Sequence, residues 1–148
     1  MVVKDKILIL DDDEIIQSLG VDIKEKTGMF VYVAGNITAA DDFILDTPGI
    51  QFMKYIIVDL YMRYDEEDFD QRGKDIIKKI SPDKSRPLSG WAWLVTRVLP
   101  NFPCENIIVV SNYVNFLSYT EKRKYGDGIH FINKSDSDAR EKILHILK

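Results

Sequence analysis

Four stretches of this chain end the same way: a strand-like run, aliphatic throughout in three of them, stops at a polar side chain. Ile7-Leu8-Ile9-Leu10 breaks into Asp11-Asp12-Asp13, and Ile56-Ile57-Val58 stops at Asp59. Ile107-Ile108-Val109-Val110 stops at Ser111, and Ile129-His130-Phe131-Ile132-Asn133 stops at Lys134. Runs that are apolar throughout, rather than alternating, suit strands buried on both faces, and such strands belong to parallel sheets. Phe30-Val31-Tyr32-Val33-Ala34 reads as a further strand.

Helical patterns separate these strands. Ile15, Ile16, Leu19, Val21 and Ile23 recur at roughly helical spacing, Asp13 or Glu14 suits the positive end of the helix dipole, and Thr27-Gly28 supplies a stop. Thr38 is placed to cap a helix running to Leu45, with Thr47-Pro48-Gly49 as the loop before the central strand. Ile76, Ile77 and Ile80 suggest a short helix, and residues 89–99 a stronger one. A helix is expected from about Tyr113 to Tyr125, ended by Gly126-Asp127-Gly128. Ser135 or Ser137 is placed to cap a final helix that turns Ala139, Ile143, Ile146 and Leu147 inward. Alternation of strand and helix predicts right-handed crossovers, a five-stranded parallel sheet and helices on both faces. At this length the natural strand order is 2-1-3-4-5, doubly wound.

At 148 residues and 45% hydrophobic content the chain suits one domain with a sizeable core. A net charge of −4 argues against a whole-chain nucleic-acid or anionic-membrane surface. The single cysteine, Cys104, has no internal disulfide partner and suits a reducing compartment. The charged start, Met1-Val2-Val3-Lys4-Asp5-Lys6, lacks the apolar run of a signal peptide, and no stretch has the length of a membrane helix, so the expected location is cytoplasmic.

In a sheet ordered 2-1-3-4-5, ligands gather at the carboxyl ends of the strands, where the order reverses. That edge would bring together Asp11, Asp12, Asp59, Ser111 and Lys134. Three crowded carboxylates repel one another and favour a hard cation; Mg²⁺ with one or two carboxylates and several waters is the common solution. A lysine and a small hydroxyl beside it complete a site for phosphoryl oxygens. A carboxylate there can also be the nucleophile, giving an aspartyl phosphate.

These motifs resemble the response-regulator receiver domain of two-component signalling, a family with a flavodoxin-like fold. The first strand with its acid pair, Ile56 to Met62, Ile108 to Ser111 and Gly128 to Lys134 carry the resemblance, which spans nearly the whole chain outside 63–89. It implies that Asp59 accepts a phosphoryl group from a histidine kinase, a phosphotransfer protein or a small phosphodonor. Asp12, Asp59 and the Tyr61 backbone carbonyl would hold Mg²⁺ directly, and Asp11 through water. Ser111 and Lys134 would bind phosphoryl oxygens, and Phe131 falls at the aromatic switch position. Tyr61 and Tyr113, each two residues after a key group, would flank the phosphoryl group and slow attacking water. The implied role is that of a signalling phosphoacceptor, not a conventional enzyme. It would switch a protein-interaction surface toward a downstream partner or output domain, without direct nucleic-acid or membrane contact.

Three departures stand out. Ser135 follows the lysine where the family usually has proline, and Arg63 stands where a proline is common. Residues 63–89, with seven acids and seven bases, read as an insertion between the third strand and its following helix, either a lid or partner-contact segment or a mobile solvated loop, with Gly90-Trp91 resuming the pattern; an alternative register resumes it at Gly73-Lys74, with the extra residues after Ile80. Two other readings compete: a degenerate receiver that binds partners without phosphorylation, and a haloacid-dehalogenase-type phosphatase with Asp11 as nucleophile, Asp13 beside it and Ser111-Asn112 downstream.

Overall fold

The computed structural model describes residues 5–46, 53–125 and 127–147; Thr47-Pro48-Gly49, Gly126 and residues 1–4 of the charged start lie outside them. Five strands form one sheet: β1 (Lys6–Leu10), β2 (Phe30–Ala34), β3 (Met53–Val58), β4 (Ile107–Ser111) and β5 (His130–Asn133). Their order is β2-β1-β3-β4-β5 and every pair is parallel, as the runs predict. β1 and β4 are buried almost throughout, and side chains on opposite faces of the sheet feed separate cores.

On one face Ile7, Ile9, Ile57, Ile108, Val110 and Ile132 meet two helices, α1 (Glu14–Thr27) and the last helix, α6 (Ala139–Ile146). The other face packs Leu8, Leu10, Ile56, Val58 and Val109 against α2 (Ile37–Asp46) and α4, a helix that runs Ser89–Trp93 and widens into a π turn over Leu94–Val98. Trp91 and Trp93 are both fully buried there. α5 (Tyr119–Lys124) connects β4 to β5.

Helix ends follow local chemistry. Asp13 caps α1 by accepting the Ile15 N–H, and Gly28 closes it in the left-handed conformation, φ 72°. Other ends depart from expectation. Thr38 does not cap α2: the Asn36 side chain accepts the Ala39 N–H, while the Thr38 hydroxyl donates to Asp68. The helix expected from Tyr113 is split into a 3-10 turn, Val114–Phe116, and α5, which restarts at a Ser118 cap that accepts the Glu121 N–H. Neither Ser135 nor Ser137 caps α6; Asp138 precedes it without a side-chain cap bond. Ile15 and Val21 point outward, 77% and 61% exposed, because only Ile16, Leu19, Gly20 and Ile23 of α1 face the sheet.

Residues 63–88 are structured. A 3-10 turn at Glu66–Asp68 leads into α3 (Gln71–Ile80), longer than its three isoleucines suggest because the Asp70 side chain caps it at Gly73. Phe69, Ile77 and Leu88 are buried in the same core as α4. Arg97 of α4 locks the segment down: it pairs with Asp41 of α2 at 3.1 Å, donates to the Asp68 carbonyl, and lies over the Phe69 ring.

Candidate functional site at the carboxyl ends of the strands

The sheet ladder continues past the ends of the strands and so fixes the site. Asp59 N–H donates to the Leu10 carbonyl at 3.1 Å, Asp11 N–H to Ala34 at 3.0 Å, and Lys134 N–H to Ser111 at 3.2 Å. The polar residues that end the runs are thereby held side by side by backbone bonds. Asp11, Asp59 and Ser111 are all buried, and Asp12 is exposed.

Lys134 is the centre of the cluster. Its Nζ lies 2.9 Å from Asp11 Oδ2, 2.9 Å from Asp59 Oδ2 and 3.5 Å from Asp13. Carboxylate oxygens of Asp11, Asp12 and Asp59 all lie within 4.8 Å of one another. The Asp11 Oδ1 atom also accepts the Asp13 N–H, whereas Oδ2, though close to the lysine, is buried without a well-aligned hydrogen bond.

The electrostatics follow from crowding. Burial pushes the Asp11 carboxyl up to about 6 and the Asp59 charge pushes the same way, against the pull of Lys134. Burial alone would lower the Lys134 ammonium, but Asp59 and Asp11 overcome it and hold it above the ordinary lysine range. One cation thus serves two buried acids and leaves a net negative site. That donor set, all oxygen with one exposed acid, fits a small hard cation.

Around this cluster the two tyrosines make a wall. Tyr61 N–H donates to Asp59 Oδ1 at 3.3 Å and Tyr113 N–H to Ser111 Oγ at 3.1 Å, and the two rings stand 5.6 Å apart. Phe131 lies away from the acids, 6.0 Å from the Trp91 ring and under the Lys122 ammonium. The Trp91 indole N–H donates to Glu121 of α5 at 3.1 Å. The Lys134–Ser135 peptide is trans, and the Ser135 hydroxyl donates to Asn112.

Gly90 begins α4 hard against the site. A Cβ there would lie 1.7 Å from the Asp59 carbonyl oxygen, and the Gly90 N–H donates to the Leu60 carbonyl. Sequence reading brought out Asp11, Asp12, Asp59, Ser111 and Lys134 but missed Asp13 as a third acid near the lysine. The Asp-Asp-Asp run carried that signal. It also missed the Trp91–Glu121 bond, for which no short-range signal exists.

No protein-family model matches the sequence, and no curated protein is similar to it. Solved structures are similar along its whole length. A response regulator from Thermotoga maritima is 17% identical, covers 98% of both chains and superposes with a TM-score of 0.54. A CheY-like response regulator receiver domain from Methylobacillus flagellatus is 19% identical over 99% of this chain and 100% of its own, at 0.54. The N-terminal domain of a response regulator/sensory box/GGDEF protein from Carboxydothermus hydrogenoformans, 17% identical, covers 97% of this chain and 90% of its own, at 0.57. The chain has the receiver fold. Within the receiver fold Asp59 follows the third strand, Ser111 ends the fourth, and Lys134 follows the fifth. Between its third strand and the helix begun by Ser89, the receiver fold here carries α3 and its flanking turns.

Proposed function

We propose that this protein is a phosphoacceptor receiver of two-component signalling, with Asp59 as the acceptor. The observation that carries this reading is Lys134 bridging two buried acids from different strands, beside a third acid and a strand-end serine. A stability role alone would favour an apolar pair at such a place, since buried charges are costly.

In the proposed step an Asp59 carboxylate oxygen attacks the phosphorus of the donor. The bond from phosphorus to the leaving histidine nitrogen, or to the acetate oxygen of acetyl phosphate, breaks, and its electron pair departs with that group. Lys134 turns from the carboxylates to the new phosphoryl oxygens, and Ser111 donates its hydroxyl to another. Asp11, Asp12, Asp59 and the Tyr61 carbonyl are the groups that would hold Mg²⁺. The fit is supported by the donor set itself, carboxylate oxygens of Asp11, Asp12 and Asp59 within 4.8 Å of one another. Bound there, the ion neutralises the acids and the charge that develops on the transferring group. Tyr61 and Tyr113 limit the approach of water to the acyl phosphate.

Phosphorylation adds about −1.5 to −2 charge units, and the surface formed by α5 and β5 changes with it toward a protein partner or output domain. The donors would be a histidine kinase, a phosphotransfer protein or a small acyl phosphate. Among the described residues no helix is long and apolar enough to cross a membrane, and a cytoplasmic setting suits such donors. The chain acts as one domain, with 63–89 as an insertion that contacts partners or covers the site.

Intact mass after incubation with Mg²⁺ and acetyl phosphate tests this. A phosphate-sized gain is expected for wild type and none for Asp59→Asn or after removal of Mg²⁺. Partner binding without any gain would mark a phosphorylation-independent module. Steady donor hydrolysis that survives Asp59→Asn and dies with Asp11→Asn would mark a phosphatase.

A further inference from the structure

The inserted segment ends beside the phosphorylation site, and it ends on a cation. Its last turn is firmly built. The Asp83 carboxylate accepts from both the N–H and the hydroxyl of Ser85, and the Arg86 N–H donates to the Asp83 carbonyl. Leu88 N–H donates to the Ser81 hydroxyl, closing the loop on itself. The next two residues are tied to the backbone just beyond Asp59, through the Ser89 hydroxyl to the Met62 carbonyl and the Gly90 N–H to Leu60. Arg86 is therefore held three residues from an anchor on the acceptor loop.

From that turn the Arg86 guanidinium reaches over the Tyr113 ring, 5.6 Å from its centre. Tyr113 is bonded through its backbone to Ser111, and its ring faces Tyr61, whose backbone is bonded to Asp59. Arg86 thus stands on the aromatic wall that borders the acceptor. Among the described residues it has no carboxylate within ion-pair distance, although the Asp83 charge acts on it. A guanidinium stacked on a ring keeps its N–H edge free, and that edge matches phosphoryl oxygens in a two-pronged fashion. The segment is also electropositive. Residues 71–88 hold six Lys and Arg against two acids, in a chain of net charge −4.

We propose that Arg86 is a donor-recognition residue, binding the phosphoryl group of the incoming donor at the mouth of the site before transfer to Asp59. This rests on the phosphoacceptor reading. The insertion then supplies in cis a cation that Lys134, buried and already shared by two acids, does not offer to an approaching anion.

The rate of phosphorylation against acetyl phosphate concentration in Mg²⁺, followed by intact mass, tests this for wild type, Arg86→Ala, Arg86→Met, Arg86→Lys and Lys84→Ala. Arg86→Ala is expected to lower the initial second-order rate about tenfold, mainly through a higher half-saturating donor concentration. Arg86→Met keeps the stem over Tyr113 without the charge and should match Arg86→Ala. Arg86→Lys should recover part of the loss. Lys84→Ala removes the same charge from the same turn and should stay within about twofold of wild type. Equal losses for Lys84→Ala and Arg86→Ala, or an unchanged Arg86→Ala, would overturn the role of Arg86 while leaving the phosphoacceptor reading intact. A wild type that gains no mass would defeat both.

Discussion

Lys134 holds together a pair of carboxylates that would otherwise drive each other apart, and Asp11 bears the cost. Its folded carboxyl titrates near 6, against an ordinary value of 3.8. A raised acid contributes stability that is complete below the unfolded value and is lost as pH climbs through the folded one. Metal-free protein should therefore lose stability between about pH 4 and pH 6, by up to about 3 kcal/mol from this group. Asp11→Asn is expected to flatten that slope and to raise the metal-free melting temperature at pH 7.5. Under the proposed function Mg²⁺ should stabilise wild type, and Asp11→Asn should weaken that stabilisation. Thermal melts across pH, with and without Mg²⁺, read all three effects. An unchanged pH slope in the variant would show that burial of Asp11 is not the cause. The acids, serine and lysine were legible in the sequence because each ends an apolar run, and a parallel sheet aligns run ends. Arg86 was not, because its place depends on a turn that folds back onto Tyr113 across 27 residues of sequence.

At the scale of elements, α4 and residues 63–88 explain one another. α4 starts so close to β3 that only glycine fits at its second position: the nearest atom to an added Cβ is the Asp59 backbone oxygen, which has no freedom to yield. Gly90→Ala should lower the unfolding free energy by about 3 kcal/mol or more, read as a shift in urea midpoint at constant slope. A loss below about 1 kcal/mol would mean that α4 can slide outward. The carboxyl ends of the strands were legible to within a residue, because each apolar run stops at a polar side chain there. Helix ends were less so. Asn36 outcompetes Thr38 as a cap because Thr38 is recruited by Asp68, a partner 30 residues away. Residues 63–88 are not a solvated appendage. Arg97 and Trp93 both reach Asp41, and Phe69 and Ile77 complete the α4 core, so trimming the segment would uncover apolar surface.

For the whole molecule, the sheet divides labour between its faces. One face is a largely aliphatic core under α1 and α6, and the other holds both tryptophans together with Phe69, Ile77 and Leu88. Strand order, parallel pairing and two-sided cover could be foreseen, since alternation of strands and helices admits few other arrangements. The link from Trp91 to α5 could not, because it runs through a side-chain bond between helices 30 residues apart. That link has an optical side. Trp91 is wholly shielded from water, bonded to Glu121 of α5 and within 6.0 Å of the Phe131 ring, while the Trp93 indole N–H donates to Asp41 of α2. Under the proposed function, movement of α5 on phosphorylation should change the emission of Trp91 and leave that of Trp93 as a constant background. The protein would then report its own signalling state in ultraviolet light, without a dye, and a Trp91→Phe variant would be dark to the same event.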